Sequence, residues 1–213
     1  MSKLKAVHLI GTIKPSPEIS NTYTLSEFLA RYLDNHGVEN DIVRLIDYNI
    51  KPGTYTNVNS NNNTNDDWPA ILEKILASQI IIFATPVWWG NQSSLIQRAI
   101  ERLDEIHDEI MNTGKSRMTN KIAGIVVTGD SDGAEHIIGN LANFFISLGF
   151  TIPAASTLTV LWSGQSKGSN KSREELWKYY EETYTSMAKG AAQNLAFMAN
   201  LLKQNPLPDS LRP

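Results

Sequence analysis

The sequence predicts a doubly wound α/β fold, a five-stranded parallel sheet in the order 2-1-3-4-5 with helices on both faces. Three observations predict it: short apolar runs, helix-period segments lying between them, and a length of 213 residues, which suits five βα units. The runs with strand character are residues 6–10, 41–46, 80–84, 122–127 and 151–160. Parallel crossovers require helices, and each helix must bury its apolar stripe on a sheet face, so the alternation defines a three-layer sandwich. In such a fold ligands sit at the carboxyl ends of strands 1 and 3, where the strand order reverses.

The helices follow from spacing. Leu25, Phe28, Leu29, Tyr32 and Leu33 recur at i, i+3, i+4, i+7 and i+8, and Trp68, Ile71, Leu72, Ile75 and Leu76 repeat the pattern. Ile96, Ala99, Ile100 and Leu103 form a third stripe, and Ile137, Ile138, Leu141, Phe145 and Leu148 a fourth. A last helix, about 173–203, carries Trp177, Tyr180, Tyr184, Met187, Ala191, Leu195, Met198 and Leu202 in steps of three and four. That seam closes the sheet, and its far end suits contact with a second subunit. Residues 49–67 and 163–171 lack periodicity and read as surface loops near the ligand side. No interdomain linker interrupts the chain, so residues 1–213 are expected to form one domain.

Composition narrows the function. With 41% hydrophobic residues, 19% charged residues and a formal charge of -3, the chain has neither the basic field that nucleic acid or membrane surfaces attract nor a strongly acidic docking face. The opening apolar run is short and broken by His8, which argues against a secretion signal, and a cytoplasmic location is expected. Cysteine is absent, so disulfides, thiol catalysis and thiolate-held metals are excluded. Electron transfer here would need an organic cofactor. His8, His36, His107 and His136 are scattered, and no His/Asp/Glu set has metal-ligand spacing.

Chemistry-bearing residues cluster after three strands. Following the first, residues 11–22 read Gly-Thr-Ile-Lys-Pro-Ser-Pro-Glu-Ile-Ser-Asn-Thr. Ser20, Asn21 and Thr22 would place short donors and free N–H groups at a helix N-terminus, whose partial positive charge favours a dianion; Thr12 and Lys14 close the cradle from the strand side. Neither Gly-x-x-x-x-Gly-Lys-Ser/Thr nor Gly-x-Gly-x-x-Gly is present, so a monophosphate suits it better than a nucleoside triphosphate or a dinucleotide. Taken alone, the segment is also consistent with an ordinary helix cap.

The third strand delivers Thr85-Pro86-Val87-Trp88-Trp89-Gly90-Asn91-Gln92. Two adjacent tryptophans are costly in a loop unless they cover something flat, such as a flavin ring, and Gly90 allows close backbone approach. The alternative is one Trp in the core and one at an interface. After the fourth strand, Thr128, Gly129 and Asp130 can offer a hydroxyl and loop N–H groups to the polar edge of a ring. A carboxylate aimed at flavin N1 would disfavour reduction, so Asp130 and Asp132 are expected to face solvent or cap the next helix.

On these residues, the phosphate loop, the Pro86-Val87-Trp88-Trp89-Gly90 turn with its following helix, and Thr128-Gly129, the chain resembles the flavodoxin-like NAD(P)H-dependent FMN reductase and quinone reductase family. The resemblance implies a flavodoxin-like fold, noncovalent FMN, two-electron transfer from NAD(P)H to a flavin, quinone or similar small acceptor with ping-pong kinetics, and a homodimer or homotetramer. By position it implies that Thr12, Lys14, Ser20, Asn21 and Thr22 hold the phosphate. Pro86, Val87, Trp88, Trp89, Gly90 and Asn91 border the ring, and Thr128, Gly129 and Asp130 meet its pyrimidine side. No side chain need act as a catalytic acid or base, and no metal is expected. Lys14 stands where such loops often carry Arg, and Pro15 and Pro17 make this loop unusually proline-rich. The alternatives are a flavodoxin-type electron carrier, which usually shows an acidic face, and a flavin-free binding protein.

Overall fold

A computed structural model describes residues 3–55, 65–163, 165 and 171–208. In chain order the elements are β1 (Leu4–Ile10), α1 (Asn21–Asp34), β2 (Val38–Arg44), a 3-10 turn (Leu45–Asp47), α2 (Trp68–Ala77), β3 (Ile80–Pro86), α3 (Ser94–Arg102), α4 (Asp104–Thr113), β4 (Ile122–Gly129), α5 (Ala134–Ser147), β5 (Thr157–Leu161) and α6 (Arg173–Gln204). The strands form one sheet in the order β2-β1-β3-β4-β5, every pair parallel. This is the flavodoxin-like sandwich.

β3 and β4 are the central strands and are buried on both faces, which is why Ile80-Ile81-Ile82-Phe83-Ala84 is continuous rather than alternating. On one face, β1, β3 and β4 bury Val7, Leu9, Ile81, Phe83 and Ile125 against α2, α3, α4 and α5. On the other, Ala6, Ile10, Ile82 and Val126 meet α1 and α6. The α1 stripe of Leu25, Phe28, Leu29, Tyr32 and Leu33 is wholly buried. The α6 seam is subtler. Tyr180, Ala191, Leu195 and Leu202 are buried, Trp177, Tyr184 and Met198 only partly, and Met187 is exposed. Ala188, Ala192, Ala196 and Ala199 complete the buried stripe, small side chains that allow close packing.

Several boundaries differ from the sequence-based expectation. β5 begins at Thr157 rather than 151, because Pro153 cannot donate to a ladder and Ala155 turns the chain with φ of 52°; Thr151 keeps a single bridge to Ile122. β2 starts at Val38 rather than 41 and yields to the 3-10 turn after Arg44; exposed Glu39 and Asp41 suit an edge strand, and the polar Glu39-Asn40 pair hid its first residues in the sequence. Beyond Leu103 the chain re-forms a helix, α4, on the brief stripe Ile106 and Ile110, and ends it at Gly114 with φ of 73°.

Strand register brings three chain exits together. Ile10 pairs with Ala84, Pro86 with Thr128, and Gly129 with Leu161. The ladder continues one step past the strands, with the Gly11 N–H donating to the Ala84 carbonyl (2.7 Å) and the Val87 N–H to Thr128 (2.8 Å). A Cβ at Gly11 would stand 2.3 Å from Ser93 Oγ and 2.6 Å from Ile96; only glycine lets the first exit pass so close to the start of α3.

Candidate cofactor site

The cleft at these exits is open to solvent, has a volume of about 130 Å³ and is lined by Thr12, Ile13, Lys14, Ser20, Asn21, Thr22, Pro86, Val87, Thr128, Gly129 and Gln165. One wall is the β1–α1 loop. Ser20 is the N-cap of α1, extended at φ -127°, and its Oγ accepts from the Tyr23 N–H (3.3 Å) while donating to Thr12 Oγ1 (2.8 Å). The Lys14 N–H also reaches Thr12 Oγ1 (3.3 Å). The first-turn N–H groups of Asn21 and Thr22 have no protein acceptor among the described residues, as expected for a helix N-terminus that is left to a ligand or solvent.

The opposite wall is tied to the first. Thr22 Oγ1 and Thr128 Oγ1 share a buried hydrogen bond of 2.7 Å. Asn21 Nδ2 donates to Gln165 Oε1 (3.1 Å), and Gln165 Nε2 donates to the Gly129 carbonyl and to Val160 (3.3 Å). Gln165, buried in a Gly/Ser/Lys-rich segment, therefore bridges the first and third loops. The Tyr180 hydroxyl of α6 donates to the Asn21 carbonyl (3.3 Å), and burial pushes its pKa up, so it stays protonated. Among the described residues no carboxylate lines the cleft. Asp130 lies just past Gly129, partly buried, and Asp132 is exposed; α5 is capped by Gly133 without a side-chain bond.

The tryptophans stand outside the lining. Trp88 and Asn91 exchange both backbone hydrogen bonds (2.8 and 2.9 Å), closing a two-residue hairpin whose tip is Trp89 and Gly90. Both tip residues have positive φ, 51° and 75°, the pattern of a type I′ turn. Trp88 is 46% exposed and Trp89 97% exposed. Gly133 packs on the hairpin: a Cβ there would lie 2.7 Å from Gly90 Cα.

A roomier groove of about 540 Å³ lies between α3, α4 and α5, with Glu101 and Asp104 on its walls. Its acidic rim repels a phosphate, whereas the first cleft offers Lys14, hydroxyls and a helix N-terminus. His8 faces α1 and not a ligand: it is fully buried, its Nε2 meets Asn40 Oδ1 (3.0 Å), and burial pushes its pKa down to about 4. Lys171 and Arg173 are exposed at the start of α6, Arg173 engaged by Glu27 (3.1 Å). Lys167 lies outside the described residues, as do most of 163–171 and positions 56–64 of the 49–67 loop. Among the described residues no cluster of His, Asp or Glu could hold a metal, and no helix is long and apolar enough to cross a membrane.

The cleft lies at the carboxyl ends of β1 and β3, where the strand order reverses, which is where ligands bind in doubly wound folds. The sequence profile of one family, described as NADPH-dependent FMN reductase, matches residues 4–161, and the chain belongs to that family. FMN is the cofactor this membership assigns, and the hydroxyl-rich, carboxylate-free cleft fits its phosphate. The chain is 30% identical over 155 residues to the 8-demethyl-8-aminoriboflavin-5′-phosphate synthase of Streptomyces davaonensis, covering 70% of this chain and 60% of that protein. It is 32% identical over 150 residues to the divalent metal cation transporter MntH of Mycobacterium bovis, covering 70% of this chain but 22% of the transporter. The crystal structure of RosB with bound 8-demethyl-8-formylriboflavin-5′-phosphate superposes with a TM-score of 0.81 at 27% identity, covering 96% of this chain and 82% of that one. The chain thus spans less than two thirds of the length of the first two relatives.

Proposed function

We propose that this protein is an FMN-dependent oxidoreductase that uses NADH or NADPH to reduce a flavin, quinone or similarly flat small acceptor. The observation that carries the proposal is the convergence of three loops on one cleft, where hydroxyls, Lys14 and the unpaired N–H groups of α1 meet. The flavin phosphate bound in the RosB structure supports the same ligand class here.

In this reading Thr12, Lys14, Ser20, Asn21 and Thr22 hold the phosphate. Pro86, Val87 and the hairpin residues Trp88, Trp89, Gly90 and Asn91 border the ring, and Thr128, Gly129 and the backbone of Asp130 meet its pyrimidine edge, with the Asp130 carboxylate outside the cleft lining. FMN, when bound, would supply the two-electron redox chemistry between NAD(P)H and the acceptor. The chain's part is positional. The Thr22–Thr128 and Asn21–Gln165 bonds fix the two walls relative to each other, and the cleft withholds carboxylates from a site where negative charge develops. No proton-transferring side chain is required. One exposed ring face serving both substrates in turn gives ping-pong kinetics.

The test is an absorbance spectrum of protein loaded with FMN and desalted, followed by anaerobic NADH and then NADPH. Retained flavin that bleaches with either nucleotide is the expected result. Retained flavin that stays yellow contradicts the enzyme reading and points to an electron carrier.

A further inference from the structure

Arg44 ends β2, and nothing in its sequence surroundings connects it with a ligand. Its side chain is buried at 8% exposure. The guanidinium lies on the Tyr23 ring, 3.9 Å from the centroid. Nη1 donates to three carbonyls of the β1–α1 loop: Glu18 at 2.8 Å, Pro15 at 3.1 Å and Lys14 at 3.4 Å. Its Nε is buried with no partner among the described residues. Asp47 completes the clasp from the following turn, taking the Ser16 N–H (3.0 Å) and Ser16 Oγ (2.7 Å).

Two physical consequences follow. First, Pro15 and Pro17 have no N–H to donate, and few other backbone bonds hold residues 12–19; the loop's shape therefore rests on Arg44 and Asp47. Because C=O and N–H oppose each other across a trans peptide, the Glu18 carbonyl drawn onto Arg44 turns the Ile19 N–H away from it. Second, Arg44 is a buried cation that forms no ion pair among the described residues. Its direct contacts are carbonyl dipoles and an aromatic face; the nearby charge is the exposed Asp47 carboxylate, whose oxygens accept from Ser16 and whose pKa, against the upward push of desolvation, is lowered by those hydrogen bonds and by the attraction of Arg44. An exposed carboxylate outside ion-pair distance is screened by solvent and offsets a buried cation only in part, and the adjoining cleft is the one assigned here to a phosphate dianion.

We infer that Arg44 is the positioning residue of the phosphate loop: it holds the Lys14–Glu18 segment in its binding shape and supplies, from behind the loop, positive charge that the phosphate of FMN balances. The inference rests on the placement of the phosphate at the N-terminus of α1. The group is missing from the loop's own sequence, where Lys14 is the sole cation, because the arginine arrives from another strand. Lysine cannot replace it fully, since an ammonium lacks the planar fork and the flat stacking surface.

The experiment compares FMN with riboflavin, which has the same ring and ribityl chain without phosphate. Affinities are measured by flavin fluorescence quenching for the wild type, Arg44→Met, Arg44→Lys and Ser20→Ala, with the melting temperature of each apoprotein. FMN affinity is expected to fall about 10- to 100-fold in Arg44→Met, the range for a charge-assisted contact, with a smaller fall in Arg44→Lys and little change for riboflavin in either. Equal losses for FMN and riboflavin, or unchanged FMN affinity, overturn the role of Arg44. Arg44→Lys keeps the charge and serves as the folded comparison if the methionine variant melts. If Ser20→Ala weakens FMN while the Arg44 variants do not, the phosphate site stands and this inference fails. If none of the three changes FMN affinity, the phosphate placement itself is wrong.

Discussion

His8 shows how one residue can be conspicuous in a sequence and silent in the site. It interrupts an apolar strand, yet it faces the α1 side of the sheet, where Asn40 Oδ1 accepts from its Nε2–H and Asn40 Nδ2 donates in turn to Asp34 (2.9 Å). Nδ1 has no partner, and burial lowers the pKa from an ordinary 6.5 to about 4. A histidine with a depressed folded pKa takes its proton first in the unfolded chain. Its neutral form therefore sustains full stability above about pH 6.5, and stability is lost as the pH falls toward 4. Urea titrations are expected to show about 2 to 3 kcal/mol of acid-side loss from this residue alone. His8→Gln should flatten that part of the profile, and an identical pH dependence in the variant would refute the assignment. The same scale explains what the sequence concealed. Arg44, Gln165 and Tyr180 shape the cleft through partners 26, 36 and 159 positions away; no local spacing encodes such contacts. Thr12, Ser20 and Thr22 were legible because a helix cap announces itself within a few residues.

At the scale of elements, the hairpin after β3 is the most informative. Type I′ tips favour Asn or Gly at the first central position, where a bulky side chain is strained. Trp89 nevertheless occupies it, with φ of 51° and almost its whole surface in solvent. Neither core packing nor turn preference accounts for that choice; under the proposed function the side chain covers a bound ring, and an interface is the alternative. Trp89→Asn is expected to raise the apoprotein's stability by about 1 kcal/mol and to lower FMN affinity about five- to tenfold, the equivalent of one lost aromatic contact. Fluorescence titration showing unchanged FMN affinity would remove Trp89 from the ring. The strap at 49–67 works differently: its described ends are pinned by the buried Arg102–Asp66 pair (2.8 Å) and by Arg98 on the Ile50 carbonyl (3.1 Å). Sequence periodicity located the helices and central strands well, since two-face burial and one-face stripes both leave strong patterns. It missed the first residues of β2, the start of β5 and the separate helix α4, where edge exposure, Pro153 and a two-residue stripe weaken the signal.

For the whole molecule, the site is a consequence of topology. Because β1 and β3 are neighbours in the sheet while their crossovers leave on opposite faces, their exits diverge and open a crevice. Register then sets β4 level with them, so Thr128 reaches Thr22 across 106 residues of chain. Among the described residues Lys14 is the one charged group lining that crevice, whereas Glu101 and Asp104 line the larger groove on the α3–α5 side; under the proposed function this asymmetry directs the phosphate to the crevice. The measurement that tests the account most directly is a crystal structure of the FMN complex. The account predicts phosphate oxygens within hydrogen-bond distance of the Asn21 and Thr22 N–H groups, with the ring extending past Val87 toward the Trp88–Trp89 hairpin. A phosphate seated away from the N-terminus of α1, or a ring lodged in the α3–α5 groove, would contradict it.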